Sequence, residues 1–248
     1  VIYKIYDTQP IVHQEGVPIL VLHGFNPTYS SKLSQLTMRE LTTKLADDLE
    51  YTNFGNVDVP VKCEDIGLGV MTFSYFPKGK IAEIDRYVEN LNIVITKIME
   101  CTGSKQVDIV AHSMGGIVAR SYMQEYGVDV VRKVIMLGTP NNGGLYNIGS
   151  ITDRFVEEGQ SKIHLDFISL SENHEFMQEL NQQEDSQVEY YTIAGKIDGK
   201  GDGLVLASSV PLNENHVTVE CNHWSIKHPS LCSKAYEFVK ESLTDAST

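Results

Sequence analysis

The feature that most constrains this chain is the stretch Val107-Asp108-Ile109-Val110-Ala111-His112-Ser113-Met114-Gly115-Gly116. A continuous apolar run of this length, flanked by charge, reads as a strand buried on both faces. It runs directly into a helical pattern, with Ile117, Val118, Tyr122, Met123 and Tyr126 at helical spacing and Gly127 as the stop. No loop separates strand from helix, so the chain must reverse in a sharp turn with Ser113 at its apex. The residues two before and two after the apex must then be tiny, because larger side chains would collide across the turn. They are Ala111 and Gly115.

Strand, serine turn and helix in immediate succession are the context in which a nucleophile elbow works. The pentapeptide alone would be weak evidence, since [AG]-x-S-x-G arises by chance in roughly one of six chains this long, and an ordinary helix N-cap serine looks the same. Two further motifs strengthen it. Pro18 to Leu22 is a second buried strand, ended by His23-Gly24-Phe25-Asn26-Pro27. Ester chemistry at a serine needs two backbone N–H groups aimed at the oxyanion. Met114, after the serine, supplies one; Phe25, in the loop after the neighbouring strand, is the natural second. His23 reads as a structural histidine whose ring bonds the loop backbone.

The other motif supplies a base and an acid. Asp202, in Gly199-Lys200-Gly201-Asp202-Gly203-Leu204-Val205, follows the strand Tyr190 to Gly195; His223 follows the alternating strand Val217-Val219-Cys221. An activated serine needs an imidazole, and the imidazole needs a carboxylate to fix its tautomer. The order serine, acid, histidine fits this arrangement. His228 is the rival base, with His112, His164, His174 and His216 as outsiders. Asp198 is the rival acid, and reads as a solvated turn aspartate.

These residues carry a resemblance to the α/β-hydrolase superfamily, in particular its lipase and acyltransferase-like branch. His-Gly-Phe, Ala-His-Ser-Met-Gly-Gly, Leu137-Gly-Thr-Pro-Asn-Asn-Gly-Gly144, Gly-Asp-Gly-Leu-Val and Ser169 to Asn181 match that branch in order. The resemblance runs from about Pro18 to the last helix. Ala111 replaces the first glycine of the elbow, and Asn141 stands where relatives often carry histidine. The resemblance implies an α/β fold with a mostly parallel central sheet, helices on both faces and a helical insertion. It implies a serine carboxylic-ester hydrolase, a lipase cleaving fatty acyl esters through an acyl-enzyme on Ser113, with Asp202 and His223 completing the triad. An acyltransferase or phospholipase on the same triad is the near alternative, and a non-catalytic lipid-binding module the distant one. Neither cofactor nor metal is expected.

Residues 1–248 read as one domain, long enough at 42% hydrophobic for one substantial core. Leu36, Leu41, Leu45 and Leu49 mark an acidic amphipathic helix, Val70 to Tyr75 a strand, and Ile81 to Met99 a long helical stripe stopped by Gly103. Val134 to Leu137 is a strand, and Leu231, Ala235, Phe238 and Val239 mark the last helix. Alternating strands and helices call for a sheet covered on both faces. An insertion spans approximately 145–185; Ile163, Leu165, Phe167 and Ile168 form its densest apolar cluster and are the candidate substrate-binding lid residues. A fixed cap and a mobile lid fit that cluster equally. A helix from about Ser171, with Phe176, Met177 and Leu180 on one face, closes it.

The formal charge of −13 disfavours nucleic acid and anionic membranes. No apolar run reaches the length of a membrane span, so the expected partners are an acyl-ester or lipid substrate and, transiently, a lipid interface. The sequence opens at Val1 without a secretory leader pattern, as it would if a leader had been removed or not included. Strand placement puts Cys63 and Cys101 on one rim of the sheet and Cys221 and Cys232 on the other, which permits those two pairs. Four reduced thiols are the alternative. Paired cysteines would favour a secreted or extracytoplasmic protein over a soluble cytoplasmic one.

Overall fold

The computed structural model describes residues 16–26, 28–77, 83–146, 174–182 and 188–245. In chain order the elements are β1 (Ile19–Leu22), α1 (Ser31–Leu36), α2 (Arg39–Asp48), β2 (Thr52–Val57), β3 (Gly69–Phe73), α3 (Ile84–Thr102), β4 (Val107–His112), α4 (Met114–Tyr126), β5 (Val131–Leu137), α5 (Glu175–Asn181), β6 (Glu189–Gly195), β7 (His216–Val219) and α6 (Ser233–Thr244). The seven strands form one sheet in the order β2-β3-β1-β4-β5-β6-β7, and every neighbouring pair is parallel.

Side-chain alternation along the strands builds two apolar layers. Leu20, Leu22, Ile109, Ala111, Val134 and Met136 pack with α3 and α4 on one face. Ile19, Val21, Val110, Ile135 and Leu137 pack with α2 and α6 on the other. Burial on both faces explains why the β1 and β4 sequences are continuously apolar rather than alternating.

Because all strands run the same way, every strand-to-helix connection leaves from one rim. The chain lays β2 and β3 on one side of β1, then crosses to place β4 on the other side. In open parallel sheets the crevice at such a reversal, outside the carboxyl ends of the strands, is where ligands bind. Here Gly24 and Phe25 follow β1, Ser113 follows β4, Asp202 follows β6 and His223 follows β7.

Several elements differ from expectation. The Leu36–Leu49 stretch is two helices, not one: α1 is capped by Ser30, whose hydroxyl accepts from the Leu33 amide at 3.3 Å, and ends at Thr37, whose hydroxyl turns back to the Ser34 carbonyl at 2.7 Å. Leu36 consequently lies exposed, while Leu41 and Leu45 are buried. β3 stops at Phe73, leaving Ser74 and Tyr75 beyond it. The last helix begins at Ser233, so Leu231 precedes it rather than belonging to it. Cys232 is its N-cap residue.

Both cysteine pairs are disulfides. Cys63–Cys101 joins the turn before β3 to the last turn of α3, with Cα atoms 5.4 Å apart. Cys221–Cys232 spans the His223 loop, with Cα atoms 6.1 Å apart. Of the insertion, residues 145–146 and 174–182 are described, and the latter include α5, with Met177 and Leu180 buried as its apolar face required. Ile163, Leu165, Phe167 and Ile168 lie outside the described residues.

Candidate active site

The turn between β4 and α4 gives Ser113 φ 53° and ψ −125°. A non-glycine residue held there costs about 1–3 kcal/mol of backbone strain, which the surroundings must over-determine. They do so through three bonds. The Ser113 amide donates to the Leu137 carbonyl at 2.9 Å, and the Ser113 carbonyl accepts from the Gly116 amide at 3.0 Å and the Thr139 hydroxyl at 2.9 Å. The need for a tiny residue at Gly115 is steric: a Cβ there would sit 2.5 Å from the His23 carbonyl oxygen.

His223 bridges serine and acid. Its Nε2 lies 2.9 Å from Ser113 Oγ and its Nδ1 2.7 Å from Asp202 Oδ2. The other oxygen of Asp202 accepts from the Leu204 and Val205 amides at 2.9 and 2.7 Å, and the His223 amide donates to the Asp202 carbonyl at 2.9 Å. With the carboxylate acting as acceptor, Nδ1 carries the proton, and the Nε2 lone pair faces the serine hydroxyl. All three side chains are buried, so the chain of bonds works in a low-dielectric setting. Such an arrangement can draw the proton from Ser113 Oγ as the oxygen attacks an electrophile.

The other rim positions sort cleanly. Gly24 brings the loop after β1 against the elbow, since a Cβ on it would lie 3.0 Å from Ser113 Cβ and 2.6 Å from His112 Nδ1. Phe25 follows, packed edge-on to Tyr29 at 5.8 Å. Met114 opens α4, so its amide belongs to the first turn, whose N–H groups have no intrahelical acceptor and carry the positive end of the helix dipole. The His23 ring bonds the Gly24 carbonyl at 2.6 Å and the Ser74 hydroxyl at 2.9 Å, and burial lowers its pKa to about 4. It is a neutral brace for the loop.

His228 pairs with Glu40 of α2 at 2.9 Å, His216 with Thr192 at 2.8 Å, and His174 caps α5. His164 lies outside the described residues. Asp198 is exposed; the Gly201 and Lys200 amides and the Tyr146 hydroxyl all donate to it and hold it below the usual carboxylate range. Tyr146 also accepts from the Gly203 amide at 2.8 Å, tying the two aspartate turns together. Asn141 is buried and structural: its amide donates to the Val210 carbonyl at 2.7 Å and its oxygen accepts from Arg120. Arg120 also reaches the Leu180 carbonyl and the Asn181 side chain, so the loop after β5 and the end of α5 are both anchored to α4.

Two residues at the site take roles that the sequence did not signal. His112, buried beside the elbow, bonds through Nε2 to the His223 carbonyl at 2.8 Å, with the two rings 4.8 Å apart. Burial, followed by the nearby Lys227 ammonium, holds its pKa well below 6.5, so Nε2–H is the donor. Lys227, four residues after His223, is buried on the same loop. Among the described residues, no cluster of His, Cys, Asp and Glu is arranged to hold a metal, and no helix is long and apolar enough to cross a membrane.

The sequence profile of a family described as alpha/beta hydrolase of unknown function, DUF915, matches residues 7–218. No curated protein sequence matches the chain. The lin2722 gene product of Listeria innocua superposes with a TM-score of 0.61 at 17% identity, covering 94% of this chain and 96% of that one. The Bacillus licheniformis lipase BlEst2, in its propeptide form, gives 0.62 at 19% identity over 97% of this chain and 52% of that one, so this chain spans about half that form. The metagenomic carboxyl esterase MGS0156 gives 0.59 at 14% identity over 92% and 76%. Likeness at these identities carries the fold.

Proposed function

The chain belongs to the DUF915 alpha/beta hydrolases, and on that premise we propose that it is a serine carboxylic-ester hydrolase acting on fatty acyl esters. The observation that carries this is the unbroken chain Ser113 Oγ–His223 Nε2, His223 Nδ1–Asp202 Oδ2 at 2.9 and 2.7 Å, with the serine strained at φ 53°. Ser113 Oγ attacks the acyl carbonyl while its proton passes to His223 Nε2. Asp202 holds the imidazole and stabilises its charged form. The Phe25 and Met114 amides receive the oxyanion. His223 returns the proton to the leaving alcohol, and a water activated by the same nitrogen releases the acid from Ser113.

Fatty acyl chains suit the apolar character of Ile163, Leu165, Phe167 and Ile168, which would line the acyl path above the rim. Both disulfides support an extracytoplasmic setting, where such bonds persist. The test is turnover of soluble esters of increasing acyl length, with and without a dispersed lipid phase. Hydrolysis that rises with chain length is expected. Absence of turnover on every ester would overturn the reading.

A further inference from the structure

The loop that carries His223 also carries a cation for which the proposed ester chemistry has no use. Lys227 is 3% exposed, and its Nζ lies 5.0 Å from the centroid of the Trp224 ring, within cation–π range. No carboxylate, hydroxyl or carbonyl of the described residues bonds its ammonium. Trp224 stands edge-on to the His223 ring at 6.0 Å and is 56% exposed. The lysine thus lies against an indole that borders the base on one side and solvent on the other.

Apart from the Trp224 ring face, no group of the described residues pairs with the charge. Its field reaches His23 and His112, at the ends of β1 and β4, and both are neutral through burial. His223, Asp202 and His228, the last paired with Glu40, are the other titratable groups of this cluster. The Asp202 carboxylate is already engaged by His223 and by the Leu204 and Val205 amides. The Lys227 stem is buried while its Nζ keeps contact with solvent, so the ammonium is presented at the rim without a hydrogen-bond partner among the described residues. Lys133, buried to the same degree, shows the ordinary solution: its Nζ donates to the Ser242 and Asp245 carbonyls at 2.9 and 2.7 Å. Burial lowers the Lys227 pKa to about 8, which still leaves it a cation at neutral pH.

We propose that Lys227 is an anion-recognition point of this site, and that the ester it serves carries a carboxylate or phosphate that pairs with the ammonium beside Trp224. The choice of ester rests on the hydrolase reading above; the binding itself does not, and is measured without turnover. Trp224 is the one tryptophan of the chain, so its fluorescence reports on this position alone. Hexyl phosphate and hexanoate are titrated into the intact protein, with 1-hexanol as the uncharged control. Saturable quenching by one or both anions at pH 7 is expected, at least about tenfold tighter than any effect of hexanol. The tighter of the two anions identifies which source the site prefers.

Lys227→Met should weaken anion binding at least about tenfold, and Lys227→Arg should restore most of it. A second arm needs no variant. Hexanoate stays an anion above pH 7, while the lysine loses its charge as pH rises through about 8. Binding should therefore weaken at least about tenfold between pH 7 and 9.5. Anion binding no tighter than hexanol, unchanged by Lys227→Met, or flat across that pH range would overturn the assignment, whatever esters the protein turns over.

Discussion

The two rims of the sheet use their buried charged and polar groups differently. At the amino rim, Asp108 is buried at the start of β4, and burial raises its pKa; Arg132 opposes that with a bidentate pair at 2.9 and 2.5 Å. Lys133 is spent on the carbonyls that end α6. Each charge there is matched by a partner within the fold. At the carboxyl rim, Ser113, His223 and Asp202 form a directional chain, His112 is neutral with Nδ1 unpartnered among the described residues, and Lys227 meets the Trp224 ring without a carboxylate among the described residues. Matched charges hold a fold together, whereas strained and unmatched ones are retained where something else must bind.

The comparison breaks first at the serine. Ser113→Ala should lower kcat/KM on a soluble ester by roughly 10⁴-fold or more, leaving residual oxyanion stabilisation, with an unchanged melting temperature or a slightly raised one. His223→Ala should be nearly as severe, while His228→Ala, which breaks the Glu40 pair, should retain most activity. A reversal of those two would reassign the base.

The two aspartates of one loop sharpen it next. Asp202→Asn should cost on the order of 10³–10⁴ in kcat, since the amide favours the wrong imidazole tautomer. Asp198→Asn leaves the bond to His223 intact and should stay within about tenfold of the parent. Steady-state kinetics on the two purified variants decides it.

The two disulfides place the same contrast on stability. Replacing either pair with serine should cost about 2–4 kcal/mol, read from denaturant midpoints. The Cys221–Cys232 pair braces the loop bearing His223, so its loss should also lower kcat, whereas loss of Cys63–Cys101 on the far rim should not. Equal kinetic losses would mean that the bridges stabilise the whole domain without regard to rim.

The smallest expected effect lies at the amino rim. Arg132→Met leaves Asp108 buried without its partner and should cost about 1–3 kcal/mol, moderated because the Arg132 side chain is one third exposed. Activity well below the melting temperature should not change. A kinetic loss comparable to that of Asp202→Asn would erase the distinction between the rims.

Much of this was legible in the sequence, for identifiable reasons. Strands buried on both faces announce themselves as apolar runs, so β1, β4, β5 and β6 could be read directly. β2 could not: Thr52-Asn53-Phe54-Gly55-Asn56-Val57 is an edge strand, largely exposed and bulged between Asn53 and Gly55, and only pairing with β3 defines it. The break between α1 and α2 was hidden because leucine spacing carries across it. Ser113, Asp202 and His223 were found from turn chemistry and their positions after strands, and the structure brings their side chains together. The bracing role of His112, weighed only as an outlying base, and the burial of Lys227 were missed on different grounds. The acceptor for His112 is a backbone carbonyl 111 residues away, which has no residue-type signature. A lysine on a polar loop reads as solvated until the packing of Trp224 and the rim buries it.

The central claim is that Ser113 is an activated nucleophile, and reaction with a fluorophosphonate, followed by peptide mapping, tests it most directly. The expected result is one label per chain on the peptide containing Ser113, abolished by Ser113→Ala and strongly slowed by His223→Ala. An unlabelled native protein, or a label that persists in Ser113→Ala, would contradict the account.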